Sequence, residues 1–350
     1  MLIKTDLVIN GCIVFWGIIN ALCMSSSSPY CSFSTYCFIW LAGLLFGQLI
    51  ANYTNSNKLF QFAKWVWLTN ILLILYLILF TKGIRGAKRW VHLFGVISYQ
   101  PCEGLKLACS LLFPKLLFNR EYVQCAILYL ITTISFILQP DLGSAILINV
   151  LAFTILLLLG LKKKLFLIFI SIPLLVSFLC ATYYPHAQKR FGSFRNKSDS
   201  SLKHRQSYQN LRSLSAIRNG GYFGVGPGKG TAKKLLPDSY SDFIFAVICE
   251  ELGLVGGLLV CLSYLVFILR CAYISSTCLY SKESISIIGI SVIISLQAWI
   301  HIGSAVWIIP TKGTTLPLIS HGGTSTIIVH IALGCLLNLI YANKRARAVL

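Results

Sequence analysis

Charge is scarce in this chain, and acidic charge scarcest. Of 350 residues 11% are charged, and only ten are Asp or Glu. A soluble domain of this size carries about 25% charged residues, so a water-soluble enzyme or binding module is excluded. The thirteen cysteines include no CxxC pair and no Cys/His metal spacing. Most of them, such as Cys12, Cys125, Cys180, Cys261 and Cys335, fall inside apolar runs. They read as small buried hydrophobes, which excludes a disulfide scaffold and a zinc module. A Walker A spacing is missing too. The first apolar stretch lacks a small-residue cleavage site, so it reads as a first span and not as a signal peptide.

What is abundant is apolar length. Hydrophobic residues make up 56% of the chain and the mean hydropathy is +0.77. A membrane crossing needs about 20 mostly apolar residues. Ten candidate spans follow, at residues 8–24, 32–52, 64–81, 103–114, 122–138, 143–160, 165–184, 242–270, 285–309 and 325–342. The fourth is short and weak, and is expected to lie partly in the membrane interface. The expectation is an all-α polytopic membrane protein, one membrane domain over 1–350, with a large loop at 185–241 between the seventh and eighth spans.

Lysine and arginine orient the bundle, since short cytoplasmic loops collect them. With the N-terminus inside, cytoplasmic segments hold Lys4, Lys58, Lys64, Lys115, Arg120, Lys162–Lys164, Arg270, Lys282, Lys344, Arg345 and Arg347. The outer connections at 25–30 and 139–142 hold none. Two outer segments break the rule. Residues 82–89 carry Lys82, Arg85, Lys88 and Arg89. Residues 185–241 carry eleven basic residues, Arg190 and Arg218 among them, against Asp199 and Asp238 alone. Long loops translocate regardless of charge, so the orientation stands. Adhesion to anionic membrane lipids and binding of an anionic substrate such as a pyrophosphate fit the basic loops equally well. Nucleic acid does not fit, because the basic loop is expected outside the membrane.

Ten acids can be read one by one. Asp6, Glu121 and Glu283 lie near cytoplasmic ends. Glu103, Asp141, Asp242, Glu250 and Glu251 fall at or within spans, where an acid must be paired or face water. Asp242 opens the run Phe243–Ile248 after the basic loop. It suits a general base facing outer solvent, or a plain helix N-cap. Glu250 and Glu251 read as structural, one of them meeting a base such as Lys106. Glu103 and Lys106 are spaced to pair on one helical turn. Asp141, in the bend Gln139-Pro140-Asp141-Leu142-Gly143, either caps a helix or lines a polar cavity. Residues 219–230, NGGYFGVGPGKG, suggest an ordered loop over a membrane cavity. Residues 310–325, PTKGTTLPLISHGGTS, form either a simple connection or a site rim charged by Lys312.

The ordered motifs resemble those of the SEDS family (shape, elongation, division and sporulation). They are GAKRW at 86–90, QPCEGLK at 100–106, QPDLG at 139–143, YQNLRSLSAIRNGGYFGVGPGKG at 208–230, LPDSYSDFIFAVICEELG at 236–253, QAWIHIG at 297–303 and PTKGTTLPLISHGGTS at 310–325. The resemblance implies ten transmembrane helices and polymerisation of lipid II on undecaprenyl pyrophosphate into glycan strands. It implies a class B penicillin-binding protein and other division proteins as partners. It assigns the family's essential aspartate to Asp242. Substrate contacts would be drawn from Lys88, Arg89, Trp90, Gln100, Glu103, Lys106, Asp141, Arg190, Gln209, Ser213, Arg218, Lys312, Ser320 and His321. The segment PTKGTTLP is closer to the division (FtsW-like) branch than to the elongation (RodA-like) branch. No dedicated metal site is visible, although a divalent cation such as Mg would suit a pyrophosphate. His321 replaces the family's usual tyrosine, and His301 stands where asparagine is common. A lipid II flippase and a non-catalytic division scaffold are the rival readings.

Overall fold

The computed structural model describes residues 6–25, 33–81, 89–93, 97–160, 167, 171, 205–277, 281–310 and 313–349. The helices are α1 (Leu7–Ser25), α2 (Phe33–Tyr53), α3 (Ser56–Phe80), α4 (Pro101–Phe118), α5 (Tyr122–Leu138), α6 (Leu142–Leu158), α7 (Arg205–Gly220), α8 (Ala232–Leu235), α9 (Ile244–Thr277), α10 (Lys282–Ala305) and α11 (Gly323–Val349). Six of them, α1, α2, α3, α9, α10 and α11, are long and apolar enough to cross a membrane. Their outward faces are apolar: Trp65 is 65% exposed and Leu79 71%. Water would penalise such a surface and lipid does not. The protein is an integral membrane protein.

The expected span 165–184 lies almost wholly outside the described residues. The weak fourth span becomes α4, eighteen residues long and buried along nearly its whole length. Its polar residues Glu103 and Lys106 are buried against other helices and find partners there. An antiparallel hairpin, β1 (Val91–Leu93) with β2 (Ile97–Tyr99), is the one departure from an all-helical reading among the described residues. Within 185–241, α7 and α8 are folded elements that pack on α9.

Hydrogen bonds fix which helix ends meet. Asp6 pairs with Arg270 at 2.8 Å, Ser275 bonds Ser284, Ser281 bonds Asn343 and Lys282 bonds Asn57. These bonds gather the start of α1, the start of α3 and the far part of α11 at one end of the bundle. The opposite end holds the starts of α4, α9 and α11 and the end of α10. The helices α2 and α11 approach by glycine: a Cβ on Gly47 would stand 2.6 Å from the His330 carbonyl oxygen, and one on Gly334 2.3 Å from that of Gly47. With Gly43, Gly47 completes a GxxxG spacing on α2, the small-residue seam by which helices pack closely in lipid.

The helix α9 is broken at Gly253, whose φ of 71° and ψ of −173° are open to glycine alone. In an unbroken helix Leu254 and Val255 would donate to the carbonyls of Glu250 and Glu251. Instead they donate to Gly221 (2.9 Å) and Tyr222 (3.2 Å), while Val225 and Gly226 donate to Glu250 and Glu251 (both 3.0 Å). The glycine-rich segment thus replaces the two missing helical bonds one for one. It comes close enough to do so because Gly224 has no side chain: a Cβ there would lie 2.2 Å from the Glu251 carbonyl oxygen. The carboxylates finish the clasp. Glu250 accepts from Thr231 Oγ1 and Ala232 N, each at 2.8 Å, and Glu251 pairs with buried Lys233 at 2.9 Å. The base that meets these acids is therefore Lys233 and not Lys106.

Replacing Gly253 by alanine should destabilise the protein by roughly 1–3 kcal/mol. Replacing Gly11, which has open space around its Cβ position, should leave stability unchanged or slightly raised. Thermal unfolding in detergent measures both, and equal effects would contradict the break.

Candidate functional site

Asp242 ends a tight turn in which Ser241 and Asp242 both donate their backbone N–H to the Asp238 carbonyl, at 3.2 and 2.9 Å. The first i→i−4 bond of α9 runs from Val247 to Phe243. The segment Ile244–Glu251 that follows is wholly buried, and Asp242 itself is half-buried at its mouth. Across from it lies Gly313, with φ +64°, where a Cβ would stand 3.4 Å from Asp242 Oδ2. The backbone of the loop between α10 and α11 therefore passes directly against the carboxylate.

That loop is held on both sides. Ser320 Oγ donates to the Ser241 carbonyl at 2.8 Å and accepts from Leu316 N–H at 2.7 Å. The N–H of His321 donates to the Tyr240 carbonyl at 2.8 Å. Tyr264 donates to the Pro317 carbonyl (2.5 Å), Asn20 to that of Ile319 (2.6 Å) and Tyr36 to that of Ser320 (3.4 Å). From α10, Gln297 Nε2 donates to the Thr315 carbonyl at 3.2 Å and His301 Nδ1 lies 2.7 Å from that of Thr314. The ring of His321 rests 5.5 Å from that of Tyr36, and burial pushes its imidazole below the ordinary range, which keeps it neutral at neutral pH.

Glu103 and Lys106 form the expected pair, at 2.6 Å, with both side chains almost fully enclosed. Lys106 also donates to Gln297 Oε1 at 2.8 Å. A polar chain thus runs from α4 through Gln297 to the loop beside Asp242. A small pocket adjoins it, polar at Glu103, Lys106 and Gln297 and aliphatic along α10 and α11.

A second cluster forms where α5 turns into α6. Arg89 donates to the Gln139 carbonyl at 3.2 Å and to that of Pro140. Asp141 caps α6 by accepting from Ser144 N and Oγ, at 3.3 and 2.7 Å. Trp90 is exposed and Gln100, at the cap position of α4, is half-buried. On α7, Ser213 is buried and donates to the Ala305 carbonyl at 2.7 Å, Gln209 is half-buried and Arg218 exposed. Lys88, Arg190 and Lys312 lie outside the described residues. Sequence analysis placed Gln297, His301 and Gly313 inside family-like motifs but did not name them among the site residues. Their further signal was a polar i,i+4 pair inside an apolar helix and a glycine in a loop.

Because the Glu103–Lys106 pair is buried, removing one charge should cost more than removing both. Lys106→Met or Glu103→Gln alone should lower stability by about 3–5 kcal/mol, and the double variant should recover most of the loss. Additive losses in thermal unfolding would refute the pairing.

Residues 1–345 match the family model described as "Cell cycle protein", which joins FtsW, RodA and SpoVE. The chain is 32% identical over 299 residues to a protein named probable peptidoglycan glycosyltransferase FtsW from Aliivibrio salmonicida, covering 81% of this chain and 73% of the relative. A protein of the same name from Legionella pneumophila is 29% identical over 324 residues, 88% of this chain and 81% of the relative. Among solved structures, a chain of a peptidoglycan synthase complex described as coordinating polymerization and crosslinking superposes with a TM-score of 0.81 at 23% identity, covering 97% of this chain and 98% of that one. The rod shape determining protein RodA of Thermus thermophilus superposes at 0.69 with 23% identity, over 96% of this chain and 95% of that one. The motif order and these likenesses agree: the chain belongs to the FtsW/RodA/SpoVE family of membrane-embedded cell cycle proteins.

Proposed function

We propose that this protein is a peptidoglycan glycosyltransferase of the FtsW branch, which polymerises lipid II into glycan strands for septal wall synthesis, with Asp242 as its general base. The observation that carries the reading is the carboxylate itself. Asp242 is half-buried, stands at the mouth of a buried helical segment, and faces a loop backbone held by side chains from several helices. A base with such fixed surroundings is pre-organised for proton transfer. The relatives named FtsW and the sequence PTKGTTLP support the division branch.

In the proposed reaction the 4-hydroxyl of a lipid II sugar attacks the anomeric carbon of the glycan donor. Asp242 takes the hydroxyl proton as the new glycosidic bond forms. The bond from the anomeric carbon to the pyrophosphate oxygen breaks, and its electron pair leaves with undecaprenyl pyrophosphate. A pyrophosphate departs as a stable anion, so one carboxylate is enough, whereas glycosidases typically use two. Basic residues of the loops, Lys88, Arg89, Arg190 and Arg218, would offset the charge of the leaving group. The solved synthase complex supports a transpeptidase of the penicillin-binding class as partner. The lysine and arginine distribution supports cytoplasmic termini and an outward-facing Asp242 end, within a single membrane domain of which 185–241 is part.

The test is lipid II polymerisation by purified protein, alone and with a co-purified transpeptidase partner, for wild type and Asp242→Asn. Wild type should give glycan ladders. The variant should lose at least about 100-fold in rate, the range of a removed general base, while its abundance and partner binding persist. Ladders from Asp242→Asn would remove Asp242 from the chemistry. No ladders from either protein, with lipid II crossing vesicle membranes, would favour a flippase; neither activity would favour a scaffold.

A further inference from the structure

We infer that His301 is a positioning residue for Asp242, acting through the backbone of Thr314 and Gly313; the inference rests on the proposed role of Asp242. His301 lies in α10 with no measurable exposure, and its Nδ1 is 2.7 Å from the Thr314 carbonyl oxygen. A carbonyl only accepts, so Nδ1 carries the proton and donates. The other ring nitrogen, Nε2, is buried without a hydrogen-bond partner. A buried polar atom left unpaired is unfavourable. The ring therefore sits here for what Nδ1 does, since an aliphatic side chain would fill the same space without that penalty.

What Nδ1 does is fix the loop one residue from Gly313. One turn earlier on α10, Gln297 donates to the next carbonyl, that of Thr315. Positions 297 and 301 lie on one helical face, so α10 grips two consecutive carbonyls with two donors. These anchors begin at the residue that follows Gly313, and the Ser320–Ser241 bond ties the same loop to the residue before Asp242; Gly313, in its left-handed conformation, stands against the Asp242 carboxylate. Loss of the His301 donor frees the Thr314 carbonyl, which must rotate to find another partner, and Gly313 and Asp242 shift with it. Reaction rates respond steeply to shifts of this kind at a reacting group.

The geometry separates positioning from mere packing by the choice of substitute. Asparagine carries its amide nitrogen on Cγ, as histidine carries Nδ1, and so reproduces the donor. Glutamine carries it one bond farther out, near where Nε2 lies. Leucine fills the space and donates nothing. Lipid II polymerisation kinetics and hydrogen exchange of the 313–321 backbone should be measured on the purified full chain for wild type, His301→Asn, His301→Gln and His301→Leu. For His301→Leu, kcat should fall about tenfold with KM within about twofold, and exchange across 313–321 should quicken about tenfold. His301→Asn should restore both, and His301→Gln neither. Leucine and asparagine variants indistinguishable from one another in both readouts would overturn the inference. A wild type that makes no glycan would sink the functional reading, while the exchange comparison would still decide whether His301 holds the loop.

Discussion

Everything near Asp242 depends on one repair of backbone hydrogen bonding. A helix interrupted inside a membrane frees N–H and C=O groups that lipid cannot satisfy. At Gly253 the interruption removes two helical bonds, and the segment Gly221–Gly226 supplies two donors and two acceptors in their place. The break lets Ile244–Glu251 run as a short buried segment, distinct from the long apolar stretch after it. Without the clasp, Asp242 would top an ordinary span, free to tilt with it. With the clasp, the carboxylate is fixed at the mouth of a segment anchored along its length by Glu250 and Glu251.

The second half of the site is anchored by different physics. The loop carrying Gly313 has no regular structure, so its carbonyls need donors, and side chains of α1, α2, α9 and α10 provide them. These donors are enclosed polar groups, which would be unfavourable without partners and find them on the loop. Loop and helices thus stabilise each other in a single arrangement. The Glu103–Lys106 pair joins this network through Gln297, which ties α4 to the same geometry. An interior rich in partnered polar groups suits a membrane protein that must hold a polar substrate beside lipid.

Much of this was legible in the sequence. Apolar length located α1, α2, α5 and α6 to within two residues, because lipid demands such runs whatever the tertiary context, while α3 begins, and α9 and α11 end, seven or eight residues beyond the apolar runs that announce them. The pairing of Glu103 with Lys106 followed from their spacing alone. The motif order placed Asp242 among the residues of interest. Other features were not legible. The weak hydropathy of α4 did not announce a helix buried along nearly its whole length, because its polar residues Glu103 and Lys106 find their partners only once other helices pack against it. Lys233, 18 residues before Glu251, escaped notice because α9 and the loop meet only after folding. Glycines at 221–226 pointed to a loop, but the purpose of the loop, to mend a broken helix, needs the partner carbonyls in view.

The sequence by itself determined a membrane-embedded helical bundle, its family, and the scarcity of acids that makes Asp242 stand out. These are properties of composition and local order, set by how lipid sorts apolar from charged groups. Only the tertiary structure decided what touches Asp242. The close approach of Gly313, the grip of Gln297 and His301 on adjacent carbonyls, and the exchange of bonds at Gly253 all join residues far apart along the chain. Each such contact has a backbone atom on at least one side, which every residue shares, so side-chain identity alone does not announce it.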